Sequence, residues 1–243
     1  MAITFNVIAT NSTPAHPLSI NPGATADDVL IASVVTDTGA VNSWAISGFD
    51  QLDHRITSVD GSSHGTLRKK DATGSEGALN ITNDISAAMI GFIMALSGAD
   101  NTTPEDVAIQ AATDNTGEGS PWIIDVSITP VTDGCMIVAI MNSDVAGAAN
   151  AVHSFSTVSG TTGAWTVRAD LNSGYYNIAV ATAPQTTAGA ITVRGTGTLG
   201  GYVAAQTMVL MAIRPAAGGA ADYPYRPVQT EPIQRAFRKM AMS

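Results

Sequence analysis

Turn signals recur along the chain at short, regular intervals, and they constrain its fold more than any other feature. Asp60-Gly61-Ser62-Ser63, Thr73-Gly74-Ser75-Glu76-Gly77, Asn115-Thr116-Gly117-Glu118-Gly119 and Ser159-Gly160-Thr161-Thr162-Gly163 cut it into pieces too short for packed helices. Gly, Asn and Asp supply the positive φ angles that tight strand reversals need. Between these turns lie about thirteen segments rich in Val, Ile and Thr. They fall near 2–9, 28–36, 51–59, 66–70, 78–82 and 89–97, then 107–112, 122–128, 135–142, 165–171, 176–182, 190–194 and 204–214. Only Ile85-Ser86-Ala87-Ala88 reads as a helical turn. Many short strands at such spacing predict an all-β protein, a sandwich or barrel.

The two halves of the strand series resemble each other, over about 20–100 and 125–215. Asp28-Val-Leu-Ile-Ala-Ser33 is matched by Asp133-Gly-Cys-Met-Ile-Val-Ala139, and Gly48-Phe-Asp-Gln-Leu52 by Ala164-Trp-Thr-Val167. Gly77-Ala-Leu-Asn-Ile-Thr82 returns as Gly189-Ala-Ile-Thr-Val193, and Phe92-Ile-Met-Ala-Leu-Ser-Gly98 as Val209-Leu-Met-Ala-Ile-Arg-Pro215. Four elements recur in the same order. Each half holds about 100 residues and no linker separates them, which predicts one body, residues 1–216, with one core.

A linker does follow the last strong strand. Ala216-Ala-Gly-Gly-Ala-Ala221 is flexible by composition. Tyr223-Pro-Tyr-Arg-Pro-Val-Gln-Thr-Glu-Pro232 favours an extended chain. In Ile233-Gln-Arg-Ala-Phe-Arg-Lys-Met-Ala-Met242, Ile233, Phe237 and Met240 stand at helical spacing among Arg235, Arg238 and Lys239. Residues 217–243 therefore read as a linker and docking arm. Its candidate anchors are Tyr223, Tyr225, Arg226, Ile233, Arg235, Phe237, Arg238 and Lys239.

Charge divides along the same boundary. The whole chain of 243 residues carries −9, with eleven Lys and Arg against twenty Asp and Glu. Residues 222–243 hold Arg226, Arg235, Arg238 and Lys239 against Asp222 and Glu231, a net +2. The remainder, with seven cations and eighteen carboxylates, stands at −11. So acidic a body excludes nucleic-acid binding through a basic face. Charged residues make up only 13% of the chain, which suits broad contact with other copies, because buried unpaired charge is costly. One cysteine, Cys135, cannot form an internal disulfide. The N-terminus lacks the basic and apolar regions of a signal peptide, and no apolar run approaches the roughly 20 residues of a membrane span. Synthesis in a cytoplasm is the expectation, with no membrane partner.

Motifs that would carry chemistry are weak. Gly61-Ser62-Ser63-His64-Gly65 matches a nucleophile elbow, but the helix that should follow Ser63 is replaced by strand-like sequence. Gly195-Thr-Gly197-Thr-Leu-Gly200 matches a dinucleotide loop, but no crossover helix or acidic partner follows, so it reads as a plain loop. The carboxylates at Asp100, Glu105 and Asp106, and at Asp114 and Glu118, are dense enough for Ca²⁺ but fit no EF-hand spacing. His16, His54, His64 and His153 share no metal-ligand spacing, and Cys135 reads as core. Trp44, Trp122 and Trp165 are candidates for stacking on a sugar. No nucleophile, base and orienter assemble in the sequence, so neither an enzyme nor a cofactor is expected.

The stretches Asp28-Val-Leu-Ile-Ala-Ser33, Gly48-Phe-Asp-Gln-Leu52, Ala72-Thr-Gly-Ser-Glu-Gly77, Leu96-Ser-Gly-Ala-Asp-Asn-Thr-Thr-Pro104 and Met211-Ala-Ile-Arg-Pro-Ala-Ala217 together resemble a widespread family of virion structural proteins of tailed bacteriophages and prophages. The resemblance covers about 1–217. Ala45 and Asp50 stand where that group more often has Gly and Thr. It implies a jelly-roll-like β-sandwich and a virion structural role: a capsid-associated or decoration protein, oligomeric, with further copies of itself and other virion proteins (major capsid protein or tail components) as partners. The alternative is a receptor- or carbohydrate-binding module of a tail or fibre.

Overall fold

Strands that are apolar along their whole length need cover on both faces, whereas alternating strands need it on one. This chain has both kinds, and it stacks them accordingly. The computed structural model describes residues 2–56, 62–114, 118–119, 121–145, 152–174, 176–198 and 202–217. Among these residues every regular element is a β-strand, and all pairings are antiparallel.

The first half runs β1 (Thr4–Ala15), β2 (Leu18–Ile20), β3 (Val29–Thr36), β4 (Trp44–Ala45), β5 (Asp50–Ile56), β6 (Ser63–Lys69), β7 (Leu79–Asn83) and β8 (Met89–Ser97). The second runs β9 (Gln110–Asp114), β10 (Glu118–Gly119), β11 (Trp122–Ile128), β12 (Cys135–Val145), β13 (Val152–Ser159), β14 (Thr166–Asn172), β15 (Tyr176–Gln185), β16 (Ile191–Thr198) and β17 (Tyr202–Ile213). In the first half a five-stranded sheet, β1-β8-β3-β6-β5, faces a three-stranded one, β2-β7-β4. In the second, β17-β12-β15-β14 carries β9 and β10 end to end along its β17 edge, and faces β11-β16-β13. The orders correspond strand for strand when β9 and β10 together stand for β1. The four matched sequence pairs fall on β3 and β12, β5 and β14, β7 and β16, and β8 and β17.

The two large sheets pack against each other, so the molecule is four layers of sheet deep. Its core is accordingly three apolar layers rather than the single one expected. Trp44, Leu67, Ile81 and Ile93 lie within the first half, and Trp122, Ile137, Phe155 and Leu210 within the second. Ile31, Phe92, Ile140, Ile178 and Met211 fill the seam between halves. Inner strands β3 and β15 are buried nearly throughout, whereas β11 alternates buried and exposed residues. The Ile85–Ala88 segment is a turn and not helical: Asn83 Oδ1 accepts from the Ile85 and Ala87 amides, and Ser86 has φ 58°.

The connector between halves, residues 98–109, is where the described chain also ends. Ala99 bridges Pro215 and Glu105 bridges Ile213. The Asp100 amide donates to Arg214 O (3.0 Å), the Arg214 amide to Pro104 O (2.8 Å) and the Ala216 amide to Gly98 O (2.9 Å). Connector and residues 213–216 are thus stitched together at one waist.

Candidate functional site

The docking candidates Tyr223, Tyr225, Arg226, Ile233, Arg235, Phe237, Arg238 and Lys239 lie outside the described residues. What can be placed is their point of departure. Hydrogen bonds on both sides of Pro215 fix the chain at the waist up to Ala216, so whatever follows starts from a defined position.

All seven Lys and Arg of the body are engaged by it. Arg55 pairs with Asp53 (3.0 Å), Lys69 with Glu76 (3.1 Å) and Arg194 with Asp125 (2.8 Å). Arg68 binds Asp50 (2.6 Å) and Glu105, and Lys70 donates to Thr102 O. Arg168 donates to Thr182 and lies over the Phe5 ring, and Arg214 donates to Glu105 O and faces Asp106. Carboxylates are therefore left without a cation. Two of them, Asp37 and Asp144, lie near enough at one end of the seam for their charges to interact. Burial, with the charge of Asp37 as a second cause, pushes the Asp144 carboxyl up to about 6, and partial burial raises Asp37 as well. Beside them a cavity of about 510 Å³ opens between the halves, with Asp37, Thr38 and Pro14 on one side and Tyr176 on the other.

The sequence motifs dissolve into architecture. Ser63 and His64 sit in β6 instead of a hairpin tip, and the Ser63 hydroxyl donates to Thr38 O (2.6 Å). Gly195 and Gly197 lie inside β16, not in a loop. A side chain at Gly195 would collide with the sulfurs of Met141 and Met208, and one at Gly197 with the Trp122 indole. Asp100 caps its own turn by accepting from the Thr102 and Thr103 amides, Glu105 holds Arg68, and Asp106 accepts from the Val131 and Thr132 amides. Among the described residues no three of His, Cys, Asp or Glu gather as metal ligands. Trp44 and Trp122 are core residues and show no face for a sugar; Trp165 stacks on Phe155 at 6.1 Å. Cys135 is buried in the second half, where burial pushes its thiol up to about 12.

One constellation has no counterpart in the sequence reading. Ser143 Oγ lies 3.4 Å from His153 Nε2, and His153 Nδ1 lies 2.8 Å from Asp170 Oδ1. Asp170 Oδ2 also accepts from the His153 amide (2.9 Å). This is a nucleophile, base and orienter in outline. Ser143, however, is fully buried, His153 is 3% exposed, and Trp122 meets the imidazole edge-on, so a substrate carbonyl has no approach to Oγ. A second serine–histidine pair, Ser33 and His64 at 2.7 Å, is equally buried between the halves. Ser143 and His153 tie two layers together, whereas Ser33 and His64 link neighbouring strands β3 and β6 of one sheet. Strand geometry along β12 turns Ser143 to the same face as Ile137 and Met141, but the polar sequence of β13 gave no signal for His153, and nothing local shows that the two meet.

No family model matches the chain, and searches of curated proteins and of solved structures found no match.

Proposed function

We propose that the chain is a structural protein of a tailed-bacteriophage particle, capsid-associated or decorating, that attaches through its C-terminal arm and associates with further copies of itself. The observation that carries this reading is the pinned waist. A body whose last residues are fixed against its own connector offers the following segment as a tether with a defined origin. The opposite charges of body and arm support the same reading, since the body keeps its own cations occupied and leaves its acids for a partner. In this reading the arm is received by the acidic body of this chain or another copy, or by the major capsid protein or tail components, and the protein resides in the virion after synthesis in the host cytoplasm. The jelly-roll likeness belongs here too. It rests on the order β1-β8-β3-β6 facing β2-β7-β4, with β5 kept beside β6 in the larger sheet. The action proposed is association; the two serine–histidine pairs are sealed in the interior. A sugar-binding role in a tail or fibre draws no support from Trp44 or Trp122, whose rings are covered.

Deleting residues 218–243 is the test. The shortened chain is expected to fold and to be missing from purified particles examined by electron microscopy. Full occupancy of particles by the shortened chain overturns the proposal.

A further inference from the structure

The acids at the seam and the cations of the arm solve each other's problem. Asp37 follows β3, and Asp144 lies on β12 directly across from Tyr176 of β15, so both halves contribute to this end of the seam. No Lys, Arg or His lines the cavity beside them, and the body has no free cation to send there. Its walls join the apolar Pro14, Ala87, Ala88 and Tyr176 ring to the uncharged Thr38 and Ser173, with Ile85 exposed in the adjoining turn (44%). An occupant must therefore combine positive charge with apolar bulk. Residues 233–239 have this composition, with Ile233 and Phe237 interleaved with Arg235, Arg238 and Lys239.

We propose that the seam cavity is the docking site for residues 233–239 of this chain, with their basic side chains against Asp37 and Asp144 and Phe237 against the apolar wall. This rests on the arm-docking reading above and names its receiving surface. Reach permits it. β17 runs from the Asp144 end of the seam to the waist over 12 residues, about 40 Å at roughly 3.3 Å per residue. The 16 residues from 217 to 232 extend to about 50 Å. The segment thus returns to its own body or crosses to the cavity of a neighbouring copy, in which case the same contact links copies.

Carbodiimide coupling of the full chain tests this, because it joins an amine to a carboxylate only where the two touch. Lys239 is the only lysine of the arm. The expected product is a crosslinked peptide pair joining Lys239 to Asp37 or Asp144, lost in the full-length Asp37→Asn/Asp144→Asn variant. A mixture of ¹⁴N- and ¹⁵N-labelled protein identifies the copy that donates the arm: mixed-mass pairs mean a neighbour, uniform ones the same chain, and either supports docking. If other couplings form, such as through Lys70, and Lys239 joins neither acid, the proposal fails. It fails also if Lys239 couples equally in parent and variant. Should the variant not fold, the parent's crosslink map alone decides. Particle occupancy is read separately. Loss of occupancy on deleting the arm, without coupling of Lys239 to these acids, leaves the attachment reading standing and removes this one.

Discussion

Trp122 covers Gly197 across the β11–β16 pair, its indole lying where a side chain of Gly197 would stand. In the first half Trp44 of β4 does the same to Gly65 of β6, this time across two layers. Each tryptophan fills a site that glycine leaves open, and neither ring has free space to retreat into, being 0% and 4% exposed. Gly197→Ala and Gly65→Ala are each expected to cost about 1–3 kcal/mol, the usual penalty of overpacking a core. Urea unfolding checks this through the midpoint at unchanged slope. A change within about 0.5 kcal/mol, the range of ordinary surface substitutions, would show that the rings are not fixed.

Arg68 is the charged residue on which the waist depends. Its guanidinium, 8% exposed, joins Asp50 on β5 to Glu105 in the connector. The two partners differ in setting: the Glu105 side chain is 19% exposed and that of Asp50 68%. Removing the shared cation strands Glu105 against the body, and Arg68→Met is expected to cost about 3–5 kcal/mol. Asp50→Asn removes only a solvated partner and should cost under about 1 kcal/mol. Equal losses in chemical denaturation would contradict this division.

The strand pattern was legible where burial is two-sided or strictly alternating. Val29–Thr36, Met89–Ser97 and Trp122–Ile128 announce themselves in this way. β13 does not: in Val-His-Ser-Phe-Ser-Thr-Val-Ser only His153 and Phe155 are buried, and the polar remainder reads as loop. β2 and β4 are too short to carry a period. Gly195 and Gly197 resembled a turn because sequence shows a missing side chain without showing the methionines and tryptophan that need the space. The repeat predicted two like halves, but not that they would stack through their large sheets. Asp37 comes near Asp144, and His153 meets Asp170, only through that stacking and through contacts between layers. No local pattern encodes such pairs.

His64 links stability to acidity. Burial pushes its imidazole down to about 4, with the charge of Asp53 opposing; in the neutral form Nε2–H donates to Ser33 Oγ and that hydroxyl to Gly65 O, while Nδ1 is buried without a partner that would accept a second proton. The unfolded imidazole protonates near 6.5, so as pH falls from 6.5 towards 4 the unfolded chain takes up the proton first and stability declines. Asp144 acts oppositely: at about 6 its carboxyl is protonated in the folded state before the unfolded one, and stability rises between 6 and 3.8. The Asp37→Asn/Asp144→Asn variant removes both raised carboxyls and leaves the histidine. Its melting temperature should fall steadily from pH 7 to pH 4.5, while NMR shows His64 still neutral at pH 5. Protonation of His64 near 6.5 in the folded protein would refute the assignment.

Asp170 anchors β13 to the large sheet through both carboxylate oxygens, one on the His153 amide and one on Nδ1. Losing both bonds leaves the buried Nδ1 of His153 and its amide without partners. Asp170→Ala is accordingly expected to cost about 2–3 kcal/mol, as hydrogen bonds to a charged group do. Ser143→Ala removes one long contact of 3.4 Å and should change stability by less than about 1 kcal/mol. A fluorophosphonate probe should leave Ser143 unlabelled in the folded protein, because a hydroxyl with no exposed surface cannot attack phosphorus whatever its neighbours. The contrary result is equally clear. Labelling of Ser143 in the folded state, abolished by His153→Gln, would mean that the interior opens and that the three residues act as a catalytic set. The order of effects separates the two cases: a structural tie is most sensitive at Asp170 and least at Ser143, whereas a nucleophile fails first at the serine.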